Sequence, residues 1–183
     1  MEYADVYDAQ ERKTGWIVPK DTPLSEGEYV MSVGIWIRNK DGQIFATRRS
    51  LTKRFMPGKW ENTGGHVQAG ETPVEAVIRE LKEETGIDVT ADQIVYLGEA
   101  TREAHGIGKN YGVTMDVNLE DLFFSDGEVM DARWLSREEF ERMRDNEEFA
   151  PSVFRFMEGY KEGFLRFMGW EDRDGRGSSR KKI

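Results

Sequence analysis

A chain of 183 residues with a formal net charge of −9 is the length of about one domain, enough to bury a core without covalent staples. It has no cysteine, which excludes disulfides, thiolate metal sites and cysteine nucleophiles, and its acidity argues against a broad nucleic-acid-coating surface, which needs clustered cations. The N-terminus MEYADVYDAQERK lacks the apolar run of a secretory signal and no stretch reaches bilayer length, so a soluble cytoplasmic protein without membrane association is expected.

In chain order, YADVY and GWIVP, joined by the polar DAQERKT, read as a hairpin over residues 3–19. EYVMSVGIWIRN then alternates, placing Met31, Val33, Ile35 and Ile37 on one face, and the NKDG turn leads into QIFATRR. This predicts a second hairpin at the centre of a sheet. Residues 50–62, SLTKRFMPGKWEN, carry Pro57 and Gly58 and read as a loop. The segment TPVEAVIRELKEETGI has its own boundaries: Thr72 as N-cap, Pro73 at the first helical position, Glu75 completing a capping box and Gly86 just past the end. A helix over 73–85 follows. QIVYLGEATREA and YGVTMDVNL read as strands separated by HGIGKN, where Gly106 and Gly108 suggest a mobile loop able to close over a substrate; two glycines at that spacing are too weak a signal for a phosphate cradle. ARWL is a last strand before a helix opened by the capping box of Ser136 and Glu139. Residues 150–170 read as one amphipathic helix packed on the sheet through Phe154, Met157, Phe164, Phe167 and Trp170. The polar, partly basic residues 171–183 read as a disordered tail, leaving 1–170 as a single domain.

The helix over 73–85 carries the chemistry. At about 100° per residue, Glu80, Glu83 and Glu84 share one stripe beside the apolar stripe of Val74, Val77, Ile78 and Leu81. A purely solvated face would spread its glutamates among lysines, whereas like charges at these spacings destabilise one another. Something cationic is therefore expected to neutralise them, and carboxylate-rich clusters suit hard divalent ions such as Mg²⁺ or Mn²⁺. Arg79, beside the cluster, can orient a glutamate through a bidentate contact.

The spacing also forms a known pattern. Gly65, Glu71, Arg79, Glu80, Leu81, Glu83, Glu84, Gly86 and Ile87 fill, without a departure, the defined positions of G-x5-E-x7-R-E-U-x-E-E-x-G-U, where U is aliphatic. The chain thus resembles the Nudix superfamily over about residues 1–145. That resemblance implies an α/β (α+β) architecture, an α/β/α sandwich with a mixed β-sheet between helices. It also implies hydrolysis of a nucleoside diphosphate linked to another moiety, with water attacking phosphorus. Carried over, Glu80, Glu83 and Glu84 bind Mg²⁺ (or Mn²⁺) with help from the Gly65 carbonyl, and Arg79 and Glu71 brace the helix. The general base differs among members and can lie outside the box; Glu103, Asp126, Glu128 and Asp131 are candidates that read equally as surface acids. Nudix domains are often homodimers, although the oligomeric state stays open.

RRSLTKRFMPGK holds Arg48, Arg49, Lys53, Arg54 and Lys59 without an acid. It is either a solvated loop or, preceding the acidic helix, a cationic approach for an anionic substrate; Arg48, Arg49, Lys53 and Arg54 are assigned to phosphate binding of a small-molecule nucleotide or diphosphate. ATRRSLTKRFMPGKWENTGGHVQAGE, with the early DVYD, is similar to the branch related to isopentenyl-diphosphate isomerase. In those isomerases a cysteine just before the GH pair transfers the proton, and the matching position here is Gly64. His66 matches one of their metal-binding histidines, or is a hydrogen-bonding loop residue. Isomerisation needs an acid–base partner on each side of the double bond, so hydrolysis is expected instead. A non-catalytic nucleotide-sensing regulator is the other alternative, opposed by the intact box. Trp36, Phe45, Phe55, Trp60 and Tyr111 can stack on a base or form core, core being the commoner use.

Overall fold

The computed structural model describes residues 2–100, 102, 104–124 and 127–170. Strands β1 (Tyr3–Tyr7) and β2 (Lys13–Pro19) form the expected antiparallel hairpin. Ala4, Val6 and Tyr7 are buried while most of β2 is exposed. The hairpin is tied to the rest by Tyr7 and Tyr29, whose backbones exchange hydrogen bonds of 2.8 and 2.9 Å.

A seven-stranded mixed sheet forms the centre. Its strands are β3 (Val30–Arg38), β4 (Ile44–Arg49), β5 (Trp60–Glu61), β6 (Thr63–His66), β7 (Ile94–Glu99), β8 (Gly106–Thr114) and β9 (Val129–Leu135). The order is β5-β4-β3-β8-β7, with β6 added on β3 and β9 on β4. Among the described residues only the β3–β8 ladder is parallel, running from Val30↔Gly106 to Arg38↔Thr114. Four helices, α1 (Pro73–Thr85), α2 (Arg137–Asp145), α3 (Pro151–Met157) and α4 (Lys161–Met168), cover the two faces. Alternation along β3 divides the core: Met31, Val33, Ile35 and Ile37 pack with Val77 and Leu81 of α1, while Trp36 packs with Phe140 of α2 and Phe164 and Met168 of α4. The sandwich expected from the sequence is therefore present.

Helix α1 has the predicted bounds. Glu75 N–H donates to the Thr72 hydroxyl at 3.3 Å and Thr72 N–H donates to the Glu75 carboxylate at 2.8 Å. Gly86 stops the helix at φ 76°, a left-handed conformation that glycine adopts without a Cβ penalty. The capping box of Ser136 and Glu139 opens α2 in the same way.

Four expectations need correction. The second hairpin is a hairpin only at its turn: Arg38↔Ile44 is the single β3–β4 pair, because β6 occupies the same edge of β3 from Ser32↔His66 to Ile35↔Thr63. Strand β4 instead pairs along its length with β9. Within the predicted 50–62 loop, Trp60 and Glu61 form β5 against Arg48 and Thr47. HGIGKN is no mobile loop, since Gly106–Asn110 is the first half of β8, hydrogen-bonded beside β3. Gly108 suits it to that place, because a Cβ there would stand 2.8 Å from the Cβ of Ala100. Last, the C-terminal helix breaks into α3 and α4. The break lets Tyr160 accept a 3.1 Å bond from Trp36 Nε1 while Gly163 lies so close to β7 that a Cβ would overlap the Leu97 carbonyl oxygen. The predicted stripe still faces the core, with Met157, Phe164 and Trp170 buried and Phe154 and Phe167 partly so. Residues 171–183, Glu103 and Asp126 lie outside the described residues. Among the described residues no helix is long and apolar enough to cross a membrane.

Candidate active site

Arg79 organises the acidic face of α1. Its Nε and Nη2 donate to the two oxygens of Glu71 at 2.7 and 3.0 Å, the bidentate geometry that a planar guanidinium favours. Nη2 also reaches the His66 carbonyl at 3.0 Å, and Nη1 donates to Glu80 at 2.9 Å and Glu83 at 3.0 Å. One side chain thus fastens β6 and the following loop to the helix. The Arg79 bonds hold the Glu71 carboxyl below its usual range, with Gln68 N–H adding to that effect. Glu71 and the neighbouring carboxylates raise the Arg79 guanidinium in turn.

Glu80 differs electrically from Glu71. Burial pushes its carboxyl above the usual range although Arg79 opposes the shift. Its carboxyl group lies against Gly65, where any Cβ would overlap it. The glycine is what lets the Glu80 carboxyl lie this close; a side chain there would push it aside. Glu83 is half exposed, whereas Glu84 is buried at 7% exposure on the inner side of the stripe. Glu71, Arg79, Glu80 and Glu83 form one bonded network, and the cation that Glu80 and Glu83 share is Arg79. Among the described residues no three Asp, Glu or His side chains converge as a ready-made metal cage.

The basic segment is tied to itself and to its neighbours. Arg48 Nε donates to the Gly58 carbonyl at 2.9 Å; Arg49 pairs with Glu61 at 2.6 Å and donates to the Phe55 carbonyl at 3.0 Å. Lys53 pairs with Glu128, and the Arg54 guanidinium lies 5.1 Å from the Phe55 ring centre. Asp131 lies 3.8 Å from Arg133 and accepts from Ala132 N–H at 2.9 Å.

Behind β6, between the sheet and α3, opens a cleft of about 360 Å³, within the size range of small-molecule sites. It is lined by Ser32, Gly34, Gly64, Gly108 and Asn110 of the sheet, by Glu61, Asn62 and His66, and by Ser152, Phe156 and Tyr160 from the C-terminal helical segment. Gly65 lies between this cleft and Glu80. None of Arg48, Arg49, Lys53 and Arg54 lines it. Burial pushes the Glu61 carboxyl up against the pull of Arg49, and pushes the His66 imidazole down, with Lys20 adding to that. Burial also carries the Tyr160 phenol up to about 12, so it stays protonated. His66 belongs to strand β6, opposite Ser32, and not to a loop.

Glu61, Asn62, Asn110, Phe156 and Tyr160 were not singled out by sequence reasoning. They come from segments far apart in the chain, and no spacing rule connects them. Of the five aromatic candidates, Trp36, Phe45, Trp60 and Tyr111 are core and Phe55 is exposed. At Gly64 a Cβ would overlap the Val33 backbone carbonyl. A cysteine at this position would have to part β6 from β3.

Comparison with known proteins agrees with this geometry. The family model described as the NUDIX domain matches residues 28–156. An uncharacterized Nudix hydrolase of Listeria monocytogenes, lmo0368, is 31% identical over 159 residues, covering 84% of this chain and 91% of that protein. Isopentenyl-diphosphate Delta-isomerase of Escherichia coli is 33% identical over 138 residues, covering 73% of this chain and 76% of the isomerase. The crystal structure of DR0079 from Deinococcus radiodurans shares the fold with a TM-score of 0.71 at 23% identity, over 87% of this chain and 99% of that one.

Proposed function

The chain belongs to the Nudix hydrolase superfamily, and we propose that it cleaves a pyrophosphate bond of a nucleoside diphosphate linked to another moiety, using Mg²⁺ or Mn²⁺. The observation that carries this reading is Glu80, a desolvated carboxylate pressed against Gly65 within a network of further carboxylates. Such an oxygen-rich donor set fits a hard divalent ion, which keeps several waters and shares its shell with substrate phosphates, and so needs no all-protein cage. Glu80, Glu83, Glu84 and the Gly65 carbonyl would hold it. When bound, the ion supplies charge neutralisation on the phosphates and a lowered pKa for bound water.

The chain's own residues do the rest. Arg79 and Glu71 fix the helix against β6, so the carboxylates keep their places as phosphate charge arrives. Arg48 and Arg54, Arg54 from the exposed end of the loop, would supply a positive approach to an acidic protein, with Arg49 and Lys53 free to do so only by leaving Glu61 and Glu128. The isomerase reading is opposed at Gly64, where the cysteine is missing and the backbone leaves it no room. A regulator that only binds nucleotides would have no use for the intact acidic network.

A panel of nucleoside triphosphates, nucleotide sugars, ADP-ribose, dinucleotides and isoprenoid diphosphates, assayed with Mg²⁺ or Mn²⁺ for released phosphate, tests the proposal. Turnover of at least one phosphoanhydride is expected, and Glu84→Gln should abolish it with the fold intact by circular dichroism. Full activity in that variant refutes the metal assignment. Silence across the panel turns the reading to the sensor.

A further inference from the structure

Strand β1 does more than add Ala4, Val6 and Tyr7 to the core. The loop of residues 67–72, which carries Glu71, has little core of its own: between Val67 and Ala76 no residue is buried. Its shape must therefore come from hydrogen bonds, and β1 supplies two of them. Ala69 N–H donates to the Tyr3 carbonyl at 2.8 Å, and Gly70 N–H donates to Asp5 Oδ2 at 2.9 Å. The same Asp5 oxygen accepts from Lys13 Nζ of β2 at 2.6 Å. Gly70 has φ 89°, a left-handed conformation that suits glycine, and Glu71 follows it directly.

A carboxylate in this place needs partners. Asp5 is 9% exposed, and a buried charge is tolerated where it is paired and hydrogen-bonded. Burial pushes its carboxyl up, but the Gly70 N–H and Lys13 outweigh that and hold it below the usual range, so it is charged at neutral pH. A charged acceptor binds a backbone N–H more strongly than a neutral one. The hairpin that presents Asp5 is itself fixed, because Glu11 at its turn pairs with Lys109 of β8 at 2.6 Å and with Arg102 at 2.5 Å. Just beyond Gly70, Glu71 accepts from Gln68 N–H at 2.9 Å and from Arg79 Nε and Nη2. A continuous line of bonds thus runs from the hairpin through Gly70, Glu71 and Arg79 to Glu80 and Glu83.

We infer that Asp5 is a positioning residue: through Gly70 it holds the loop at the setting in which Glu71 locks Arg79, and with it Glu80 and Glu83, in place. Its consequence for turnover rests on the diphosphate-hydrolase reading, whereas its effect on Arg79 does not. Asp5→Ala removes the acceptor, Asp5→Glu keeps the charge but displaces the oxygens by a methylene, and Asp5→Asn keeps an oxygen in place for Gly70. In the metal-free protein, exchange of the Arg79 Nε proton with water, followed by NMR, should quicken about tenfold in Asp5→Ala and Asp5→Glu, the size of one lost hydrogen bond to a charged group, and stay within about threefold of the wild type in Asp5→Asn. Mn²⁺ alone, titrated by water proton relaxation, should bind about tenfold more weakly to Asp5→Ala and Asp5→Glu. Turnover of a nucleoside-diphosphate substrate should fall in the same order at low Mn²⁺ and recover at high Mn²⁺.

Faster Arg79 exchange in a protein that binds no Mn²⁺ and hydrolyses nothing would sustain the positioning role and remove the hydrolase. Mn²⁺-dependent hydrolysis with wild-type exchange and wild-type Mn²⁺ affinity in Asp5→Ala and Asp5→Glu would do the reverse. A lower melting temperature with exchange and Mn²⁺ binding unchanged makes Asp5 structural only and overturns the inference. So does an Asp5→Asn protein as disturbed as Asp5→Ala, which would put the effect on the Lys13 pair. Should Asp5→Ala not fold, Asp5→Glu and Asp5→Asn decide between these outcomes.

Discussion

On the α1 face of the sheet the buried side chains are mainly aliphatic and the functional groups are ionic, joined through one arginine. On the opposite face the core is built of aromatics in edge-to-face and tilted contact, Trp36, Phe140, Phe149, Phe154, Phe164 and Trp170, with ring centres 5.1–6.0 Å apart. Its cleft offers mostly uncharged polar groups. The ionic groups all come from residues 65–84, a strand, a loop and one helix in succession. The cleft draws on residues from 32 to 160. The difference teaches that the ionic cluster is a local device of one short stretch of chain, whereas the cleft depends on how distant segments are stacked.

That contrast can be broken most forcefully on the aromatic side. Phe164 is 1% exposed and packs against Trp36 and Trp170 at 5.2 and 5.8 Å. Phe164→Ala should cost about 3–5 kcal/mol in urea denaturation and loosen α4 under the cleft wall. A loss below about 1 kcal/mol would show that this face is not a cooperative part of the fold.

Gly65→Ala sharpens the comparison from the other side. The new methyl group meets the flexible end of Glu80 and not backbone, so the fold should survive with its melting temperature nearly unchanged. Turnover should drop about 10²-fold, the usual consequence of displacing a reacting group by about 1 Å. Equal loss of stability and activity would make Gly65 a packing residue only.

The smallest effect belongs to the cap. Thr72→Ala removes the bond from Glu75 N–H and should lower stability by about 1 kcal/mol, read as a shifted denaturation midpoint with unchanged slope. If it weakens the protein as much as Phe164→Ala, helix α1 and not the aromatic face limits stability.

Much of the α1 side was legible in the sequence. Thr72, Pro73, Glu75 and Gly86 marked both helix ends, and the box spacing brought Gly65, Glu71, Arg79 and Glu80 into one site, as the structure has them. Arg79, expected to orient a glutamate, pairs with Glu71, Glu80 and Glu83 together. On the other side, HGIGKN looked like a loop because its glycines lack side chains, yet they allow β8 to pass beside Ala100 and line the cleft. The break between α3 and α4 left no sequence mark strong enough to overrule a continuous amphipathic stripe.

By itself, then, the sequence determined the capped acidic helix, the alternation of β3 and the ionic chemistry of residues 65–84. Caps, turns and helical stripes are settled by hydrogen bonds and side-chain contacts between residues at most a few positions apart. Only the tertiary structure decided that Ser32 and Gly108 are neighbours, that Gly34 faces both Gly64 and Asn110, and that Tyr160 returns to Trp36. Strand pairing and cleft walls depend on which distant segment takes each edge and face, and an edge of β3 taken by β6 is closed to β4.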